Sequence, residues 1–293
     1  MTSTETIDPR YAGLDTWDDK AILAAMIDGQ SRAVEAVAAA NEALSAAATA
    51  IVARLRAGGR LIYAGAGSSG IIAALDGIEL LGTYGWPEER VAFVLASGDR
   101  LAPLTGGEED DEGLARAGIA RLGLGRDDVV IAVAASGTTP FTLAAVAAAR
   151  SAGALTVGVA NNAGAPLLTA SDAPVLLDSG HEIITGSTRM GAGTAQKAAL
   201  NLLSTLIMIR LGHVYDGLMV NLRADNRKLR GRSVRILRAV TGCSEDDARA
   251  ALDAAGGSVK HAALIAAGGL SATEAEAALL ASGDNLRKAL GRG

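Results

Sequence analysis

The stretch that decides the fold is Leu61-Ile62-Tyr63-Ala64-Gly65-Ala66-Gly67-Ser68-Ser69-Gly70. A short apolar run of strand-forming residues ends there in a glycine- and serine-rich turn, and a helical pattern follows from Ile71 to Leu80. Glycines let the backbone approach a ligand closely, and the amides at a helix N-terminus attract an anion. The pattern therefore makes Gly67, Ser68 and Ser69 candidate phosphate ligands, although a plain strand-to-helix turn has the same composition.

A second copy of this arrangement follows later in the chain. Residues 128–135 form a near-continuous apolar run, as expected of a strand that is buried on both faces. The run ends in Ser136-Gly137-Thr138-Thr139-Pro140, and a helical pattern follows it. Ligands of open parallel sheets bind beyond the carboxyl ends of the strands, so the two turns are predicted to form two edges of one anion site. The second set of candidate ligands is Ser136, Gly137, Thr138 and Thr139.

Between and around these turns, strand and helix patterns alternate. Strands are predicted near 60–65, 90–96, 128–135, 154–160 and 174–178, and helices over 69–80, 110–122, 140–151 and 193–211. This alternation predicts an α/β fold with a doubly wound parallel sheet in a flavodoxin-like three-layer sandwich. Three domains are predicted. Residues 1–57 form an N-terminal arm (1–14) followed by one or two long helices, residues 58–231 form the sheet domain, and residues 232–293 form a small bundle of three short helices.

The amino-acid composition and net charge argue against several classes of function. The 293 residues are 49% hydrophobic but only 3% aromatic, and the formal net charge is −5. The negative charge argues against binding to nucleic acid or to an anionic membrane. A single cysteine, Cys243, excludes an intrachain disulfide and favours a reducing, cytoplasmic compartment. The longest apolar stretch, Ala198 to Ile209, contains polar residues and predicts a buried helix rather than a membrane span.

Other sites of chemistry are weakly indicated. The turn Thr185-Gly186-Ser187-Thr188-Arg189 precedes the last predicted helix of the sheet domain. A phosphate or carboxylate would suit the side chains of Ser187, Thr188 and Arg189, together with Lys197 in the first turns of that helix. A capped helix with a surface arginine is nearly as good an interpretation of the same residues. The histidines are scattered, which predicts no metal site. Gly65, Gly67 and Gly70 match the dinucleotide spacing, but the next strand lacks the expected acidic residue, which argues against a nicotinamide cofactor.

Carboxylates that could transfer protons lie in two places. Glu79 follows the first glycine turn on an otherwise apolar helical stretch, where it is either a functional buried acid or part of a solvated face. The acidic run 108–112 precedes a helix, a position where the helix dipole favours negative charge. Spacing alone does not select one of these residues as catalytic.

At the glycine turns, at Thr185-Gly186-Ser187-Thr188-Arg189, and over 192–197 and 201–205, the sequence resembles the N-acetylmuramic acid 6-phosphate etherases, a branch of the sugar isomerase (SIS) superfamily. The resemblance extends over nearly the whole chain. It implies a cytoplasmic homodimer, without metal or organic cofactor, that cleaves the lactyl ether of a phosphorylated amino sugar to N-acetylglucosamine 6-phosphate and D-lactate. The implied mechanism is elimination followed by hydration.

The resemblance also assigns the two carboxylates. The family's acid ends a Leu-Asp-Ala-Ser-Glu segment, which matches Leu75-Asp76-Gly77-Ile78-Glu79 here, so the role passes to Glu79. The family's base lies in a Glu-Gly-Ala-Glu-Asp segment, for which Glu109 is the best match; Asp110 stays open because one residue is missing nearby. Three basic residues usual in the family are replaced, by Ile71, Thr138 and Gly191. Either amides and hydroxyls bind the anions here, or the substrate is a related one.

Two other functions remain compatible with the sequence. A non-catalytic sugar-phosphate sensor, like the glucokinase regulatory protein, would use the same binding turns, and it could retain both carboxylates. An aldose–ketose isomerase would use the same domain type, but the etherase-specific segments argue against it. Release of D-lactate separates the etherase from both alternatives.

Overall fold

The computed structural model describes residues 3–98, 106–222, 224 and 227–292. Met1 and Thr2 of the predicted N-terminal arm lie outside these ranges. The described arm contains short 3-10 turns, at Ser3–Glu5, Pro9–Tyr11 and Leu14–Thr16. Two helices follow, α1 (Asp19–Ala39) and α2 (Asn41–Arg56). The side chain of Asp18 starts α1 by accepting hydrogen bonds from the amides of Lys20 and Ala21.

The five strands form one parallel sheet, as the sequence predicts. They are β1 (Leu61–Gly65), β2 (Val91–Leu95), β3 (Val129–Val133), β4 (Leu155–Ala160) and β5 (Ala173–Leu176). Their order across the sheet is β2-β1-β3-β4-β5, and every neighbouring pair is parallel. Every residue of β1, β3 and β4 is buried, which explains why β1 and β3 appear in the sequence as uninterrupted apolar runs and why β4 is interrupted only by Thr156 and Gly158.

One helix follows each strand along the chain, which confirms the predicted α/β class. These helices are α3 (Gly67–Tyr84), α4 (Glu112–Leu122), α5 (Pro140–Ser151), α6 (Pro166–Ala170) and α7 (Gly191–Arg210). Each predicted helix is present within a few residues of its expected ends. The five-residue α6 was not predicted, because one turn of helix has no measurable periodicity.

The C-terminal part is helical, but it has more helices than the three predicted. The described residues from 227 onward form α8 (Arg227–Thr241), α9 (Glu245–Ala254), α10 (Val259–Gly268), α11 (Ala272–Ala281) and α12 (Leu286–Ala289). The pairs α9–α10 and α11–α12 are built alike. Ser244 and Ser271 are the N-caps of their first helices, and Gly256 and Gly283 follow those helices in the left-handed conformation.

Contacts divide the chain into two compact units. One unit contains residues 1–77 and 89–204, and the other contains 78–88 and 205–293. The sheet and its three candidate turns belong to the first unit, and the apolar core of helices α8 to α12 belongs to the second. The division into domains at residues 57/58 and 231/232 remains a proposal. Among the described residues, no single helix has the length and apolar composition to cross a membrane, although two bent helix pairs reach that composition together.

Candidate active site

The strand order places the first two candidate turns side by side. From β1 the chain crosses to β2 on one side and then returns to β3 on the other, so β1 and β3 are adjacent strands whose connections leave in opposite directions. Gly65, the last residue of β1, pairs with Val133, the last residue of β3. Such a topological switch point opens a crevice at the carboxyl edge of the sheet. The turns after β1 and β3 therefore lie side by side at this edge of the sheet, as the sequence predicts, and their binding of an anion stays a prediction.

The first turn depends on two glycines that touch. A Cβ atom on Gly70 would lie 2.8 Å from the carbonyl carbon of Gly65, and a Cβ atom on Gly65 would lie 2.8 Å from the carbonyl oxygen of Val133. Neither position has room for a side chain, so the first turn of α3 lies tightly against the ends of β1 and β3. Ser68 and Ser69 are half-buried in that turn, at the N-terminus of α3, where the helix amides favour an anion.

The second turn presents a hydroxyl with an available hydrogen. Ser136 Oγ accepts hydrogen bonds from the amide of Thr138 (3.2 Å) and from Thr138 Oγ1 (3.1 Å). Since both bonds use its lone pairs, its own hydrogen remains for a ligand. Gly137 between them has φ 68°, and a Cβ atom there would lie 2.5 Å from Ala165 Cβ. Glycine is thus required at this position.

Helix α5 begins directly after this turn and leaves its first amides open. Its N-cap is Thr139, whose side chain makes no capping hydrogen bond. Pro140 follows at the first helical position, where its missing N–H has no cost. Amides of the first helical turn that no side chain caps are suited to bind an anion.

Glu109 lies against the first of these turns. It belongs to the 3-10 turn Gly106–Asp110, which packs against α5. A Cβ atom on Gly67, whose φ is 54°, would lie only 2.6 Å from Glu109 Oε1. Burial, followed by the charge of Asp110, raises the pKa of Glu109 above its ordinary value. The half-buried Glu109 contacts the first glycine turn, whereas the side chain of Asp110 is exposed.

The third turn begins α7, but a buried carboxylate already caps that helix. Glu182 is only 3% exposed and accepts hydrogen bonds from the amides of Gly191 (3.0 Å) and Ala192 (2.8 Å). These two amides are therefore not available to a substrate anion. No local pattern in the sequence marks Glu182, because it lies nine residues before the amide of Gly191 and capping motifs join residues much closer together.

The start of α7 nevertheless lies beside the start of α3. A Cβ atom on Gly193 would lie 3.3 Å from Ile72 Cδ1, which places the third turn near Ser68 and Ser69. Ser187 and Thr188 are half-buried there. Both predicted basic ligands of this segment, Arg189 and Lys197, have exposed side chains.

Glu79 lies far along α3 from the N-terminus of this helix, where anion binding is predicted. It follows Gly67 by twelve residues, which is about 18 Å at 1.5 Å per residue. Its side chain is exposed, and so are Leu75 (44%) and Ile78 (63%) on neighbouring positions of the same helix. Glu79 therefore lies on an apolar helix face that is open to solvent in the single chain.

A buried aspartate that the sequence analysis did not single out holds α3 in place. Asp76 is 3% exposed and accepts hydrogen bonds from the Tyr63 hydroxyl (2.8 Å), Asn201 Nδ2 (2.6 Å) and Ser204 Oγ (2.9 Å). Burial and the adjacent Asp76 raise the pKa of Tyr63 well above its ordinary value, so the phenol stays a donor. These bonds connect α3 to β1 and α7, and so fix the helix that carries Glu79.

The adjacent glycine explains one departure from the family segment. A Cβ atom on Gly77 would lie 2.7 Å from Phe93 Cε1 and 2.8 Å from Tyr63 Cε2. The two rings stack with their centroids 6.1 Å apart. Alanine, usual at this position, would collide with this pair.

Within the described ranges, no group of three or more His, Cys, Asp and Glu side chains is arranged to hold a metal ion. The absence of a cofactor stays a prediction from the sequence.

Comparisons with known proteins relate the chain to sugar-phosphate proteins. Residues 27–161 match the family described as SIS domain. The N-acetylmuramic acid 6-phosphate etherase of Deinococcus radiodurans is 51% identical over 99% of this chain and 95% of its own length. The protein of the same name from Rubrobacter xylanophilus is 43% identical over 99% of this chain and 96% of its own length.

Solved structures share the fold at lower identity. A phosphoheptose isomerase from Francisella tularensis superposes with a TM-score of 0.51 at 22% identity, covering 66% of this chain and all (100%) of its own. A protein of an Escherichia coli strain superposes with a TM-score of 0.50 at 18% identity, covering 69% of this chain and 97% of its own. These similarities concern the fold alone.

Proposed function

Because this chain belongs to the N-acetylmuramic acid 6-phosphate etherase family, we propose that it cleaves the D-lactyl ether of N-acetylmuramic acid 6-phosphate to N-acetylglucosamine 6-phosphate and D-lactate. The observation that carries this proposal is the contact of the Glu109 carboxylate with Gly67. A carboxylate of raised pKa against the first glycine turn supports the proposal, because perturbed carboxylates of this kind are typical of catalytic sites.

The phosphate binds at the crevice between β1 and β3. Hydroxyls of the three turns donate to its oxygens, and the open amides of α3 and α5 add their dipoles. This arrangement compensates for the basic residues that Ile71, Thr138 and Gly191 replace. The hydroxyl donors are Ser68, Ser69, Ser136, Thr139, Ser187 and Thr188, and Arg189 and Lys197 are the nearby cations.

The reaction is an elimination followed by a hydration. The sugar opens to its aldehyde, which acidifies the proton on carbon 2. Glu109 removes that proton, the bond from carbon 3 to the lactyl oxygen breaks, and Glu79 protonates the departing oxygen. Water then adds to the unsaturated aldehyde at carbon 3. A base of raised pKa holds the abstracted proton more readily, which suits Glu109 to this step.

Glu79 acts in the site of a second copy of the chain. The helical distance of about 18 Å from Gly67 exceeds the span of a hexose 6-phosphate, so Glu79 does not reach a sugar bound at the N-terminus of its own α3. Its exposed apolar neighbours Leu75 and Ile78 suit a subunit interface. A homodimer in which each site takes Glu109 from one protomer and Glu79 from its partner satisfies both observations. The single cysteine supports a cytoplasmic location for this dimer.

The test is turnover of N-acetylmuramic acid 6-phosphate in water enriched in oxygen-18. We expect D-lactate without the label and N-acetylglucosamine 6-phosphate labelled at carbon 3, because water replaces the ether oxygen there. Label at carbon 1 is ignored, since aldehydes exchange oxygen through their hydrates. Unphosphorylated N-acetylmuramic acid is the control and should react far more slowly. Absence of D-lactate would refute the proposal, and label in the lactate hydroxyl would refute the mechanism.

A further inference from the structure

The turn Ser3–Glu5 contains a fully buried polar residue. Thr4 has 0% exposure, although threonine in such a turn is usually solvated. Its Oγ1 accepts a hydrogen bond from Asn162 Nδ2 (3.0 Å), and its amide donates to Asn162 Oδ1 (3.3 Å). Asn162 is itself only 2% exposed and follows the end of β4. The two residues thus hold each other through reciprocal bonds over 158 positions of sequence.

Thr4 and Asn162 together connect two of the turns proposed to bind the substrate. Asn162 Nδ2 also donates to the carbonyl of Ala135 (2.9 Å), the residue directly before Ser136. On the other side, the carbonyl of Thr4 accepts from the amide of Gly186 (3.1 Å) in the third turn. One fully buried residue therefore joins the Ser136 turn, through Asn162, to the turn that carries Ser187 and Thr188.

The geometry of this connection leaves little freedom. The Asn162 amide uses its oxygen and its nitrogen on partners in separate segments, so its orientation is fixed. Gly186 has φ 77°, and the Glu5 carboxylate lies beside it. A Cβ atom on Gly186 would lie 3.1 Å from Glu5 Oε2. A side chain at 186 would be strained by this positive φ, and the end of the exposed Glu5 side chain would have to shift by a few tenths of an ångström.

We propose that Thr4 is a positioning residue for binding of the phosphorylated sugar. It touches no substrate. It sets the separation of the Ser136 and Ser187 hydroxyls, which must converge on one phosphate. This proposal rests on the proposed function in one respect, namely that these turns bind the substrate. The hydrogen bonds that connect the two turns through Thr4 and Asn162 do not depend on that function.

The test compares Thr4→Val with Thr4→Ser in the full chain. Valine keeps the shape but removes the hydroxyl, and serine keeps the hydroxyl. We expect Thr4→Val to raise KM roughly fivefold, as loss of a hydrogen bond worth about 1 kcal/mol would, with kcat within about twofold of the parent. Thr4→Ser should stay near the parent. If Thr4→Val does not fold, Thr4→Ala replaces it in the same comparison.

Thr156→Val is the matched control. Thr156 is also fully buried, and its hydroxyl donates to Asp172 Oδ2 (2.8 Å), but it lies at the beginning of β4, away from the carboxyl edge. We expect this variant to lose stability without a change in KM. Equal KM values for Thr4→Val and the parent, or an equal rise in Thr156→Val, would overturn the proposal.

Hydrogen exchange tests the connection through Thr4 separately from the etherase activity. Exchange of the Gly186 amide, followed in a peptide covering 183–190 without substrate, should accelerate in Thr4→Val and not in Thr4→Ser or Thr156→Val. This measurement needs no turnover, so it tests the connection even if the parent releases no D-lactate. Unchanged exchange in Thr4→Val would refute the connection while leaving the etherase proposal intact.

Discussion

At the scale of single residues, Glu109 is distinguished from the acidic residues beside it by its contact with Gly67. We predict that Glu109→Gln abolishes both D-lactate release and exchange of the carbon 2 proton with solvent deuterium, because both require the base. General base catalysis is typically worth about 10²–10⁴ in rate. Asp110→Asn, at an exposed neighbour, is the control and should keep most of the turnover. The opposite ranking of the two variants would assign the base to Asp110.

The raised pKa of Glu109 also predicts a stability effect. The folded chain holds the Glu109 proton more tightly than the unfolded chain, so this carboxyl stabilises the fold below its ordinary pKa of 4.5 and loses that contribution as pH rises through the folded value. Glu109→Gln stays neutral throughout. Relative to the parent, its free energy of unfolding should therefore increase between about pH 4 and neutrality.

Chemical denaturation at several pH values measures this difference. Glu276→Gln, on an exposed position of α11, controls for the loss of a surface carboxylate. A stability difference between Glu109→Gln and the parent that does not change with pH would show that burial does not disfavour the Glu109 charge.

At the scale of the element, the first glycine turn determines where Glu109 lies. We predict that Gly67→Ala lowers turnover strongly, because the new methyl group would occupy the space of Glu109 Oε1, and that it destabilises the fold by only about 1–2 kcal/mol through the left-handed backbone. Gly123→Ala is a matched control. Gly123 has φ 55° and no heavy atom within 4 Å of its Cβ position, so it brings the same strain without displacing a carboxylate. Equal turnover of the two variants would contradict the placement of Glu109.

Strands and turns are predicted from the sequence more fully than the hydrogen bonds that join distant segments. The buried strands β1 and β3 and the turns after them are predicted well, because apolar runs and glycines are local signals. The roles of Thr4, Asp76 and Glu182 were not predicted, because each bonds to residues distant in sequence. The resemblance supplied Glu109, but its contact with Gly67 needed the structure.

At the scale of the whole molecule, exposed apolar side chains support the proposed homodimer. On α1, Leu23 (57% exposed), Ile27 (64%) and Val34 (56%) are spaced four and seven residues apart, which aligns them on one helix face. On α3, the exposed Leu75 and Ile78 precede Glu79 by four positions and by one. A monomer by light scattering at micromolar concentration would contradict the proposed homodimer.

Subunit complementation between Glu79→Gln and Glu109→Gln tests the central claim most directly. Each variant alone should release almost no D-lactate. In a mixed dimer, one site carries both substitutions and the other carries neither, because each site takes one carboxylate from each chain. We therefore predict that dimers purified from co-expression, with a different affinity tag on each chain, recover about half of the parent activity per dimer, in line with one intact site in two. Mixed dimers as inactive as the two variants would contradict a shared site, and full activity of either variant alone would remove its carboxylate from the mechanism.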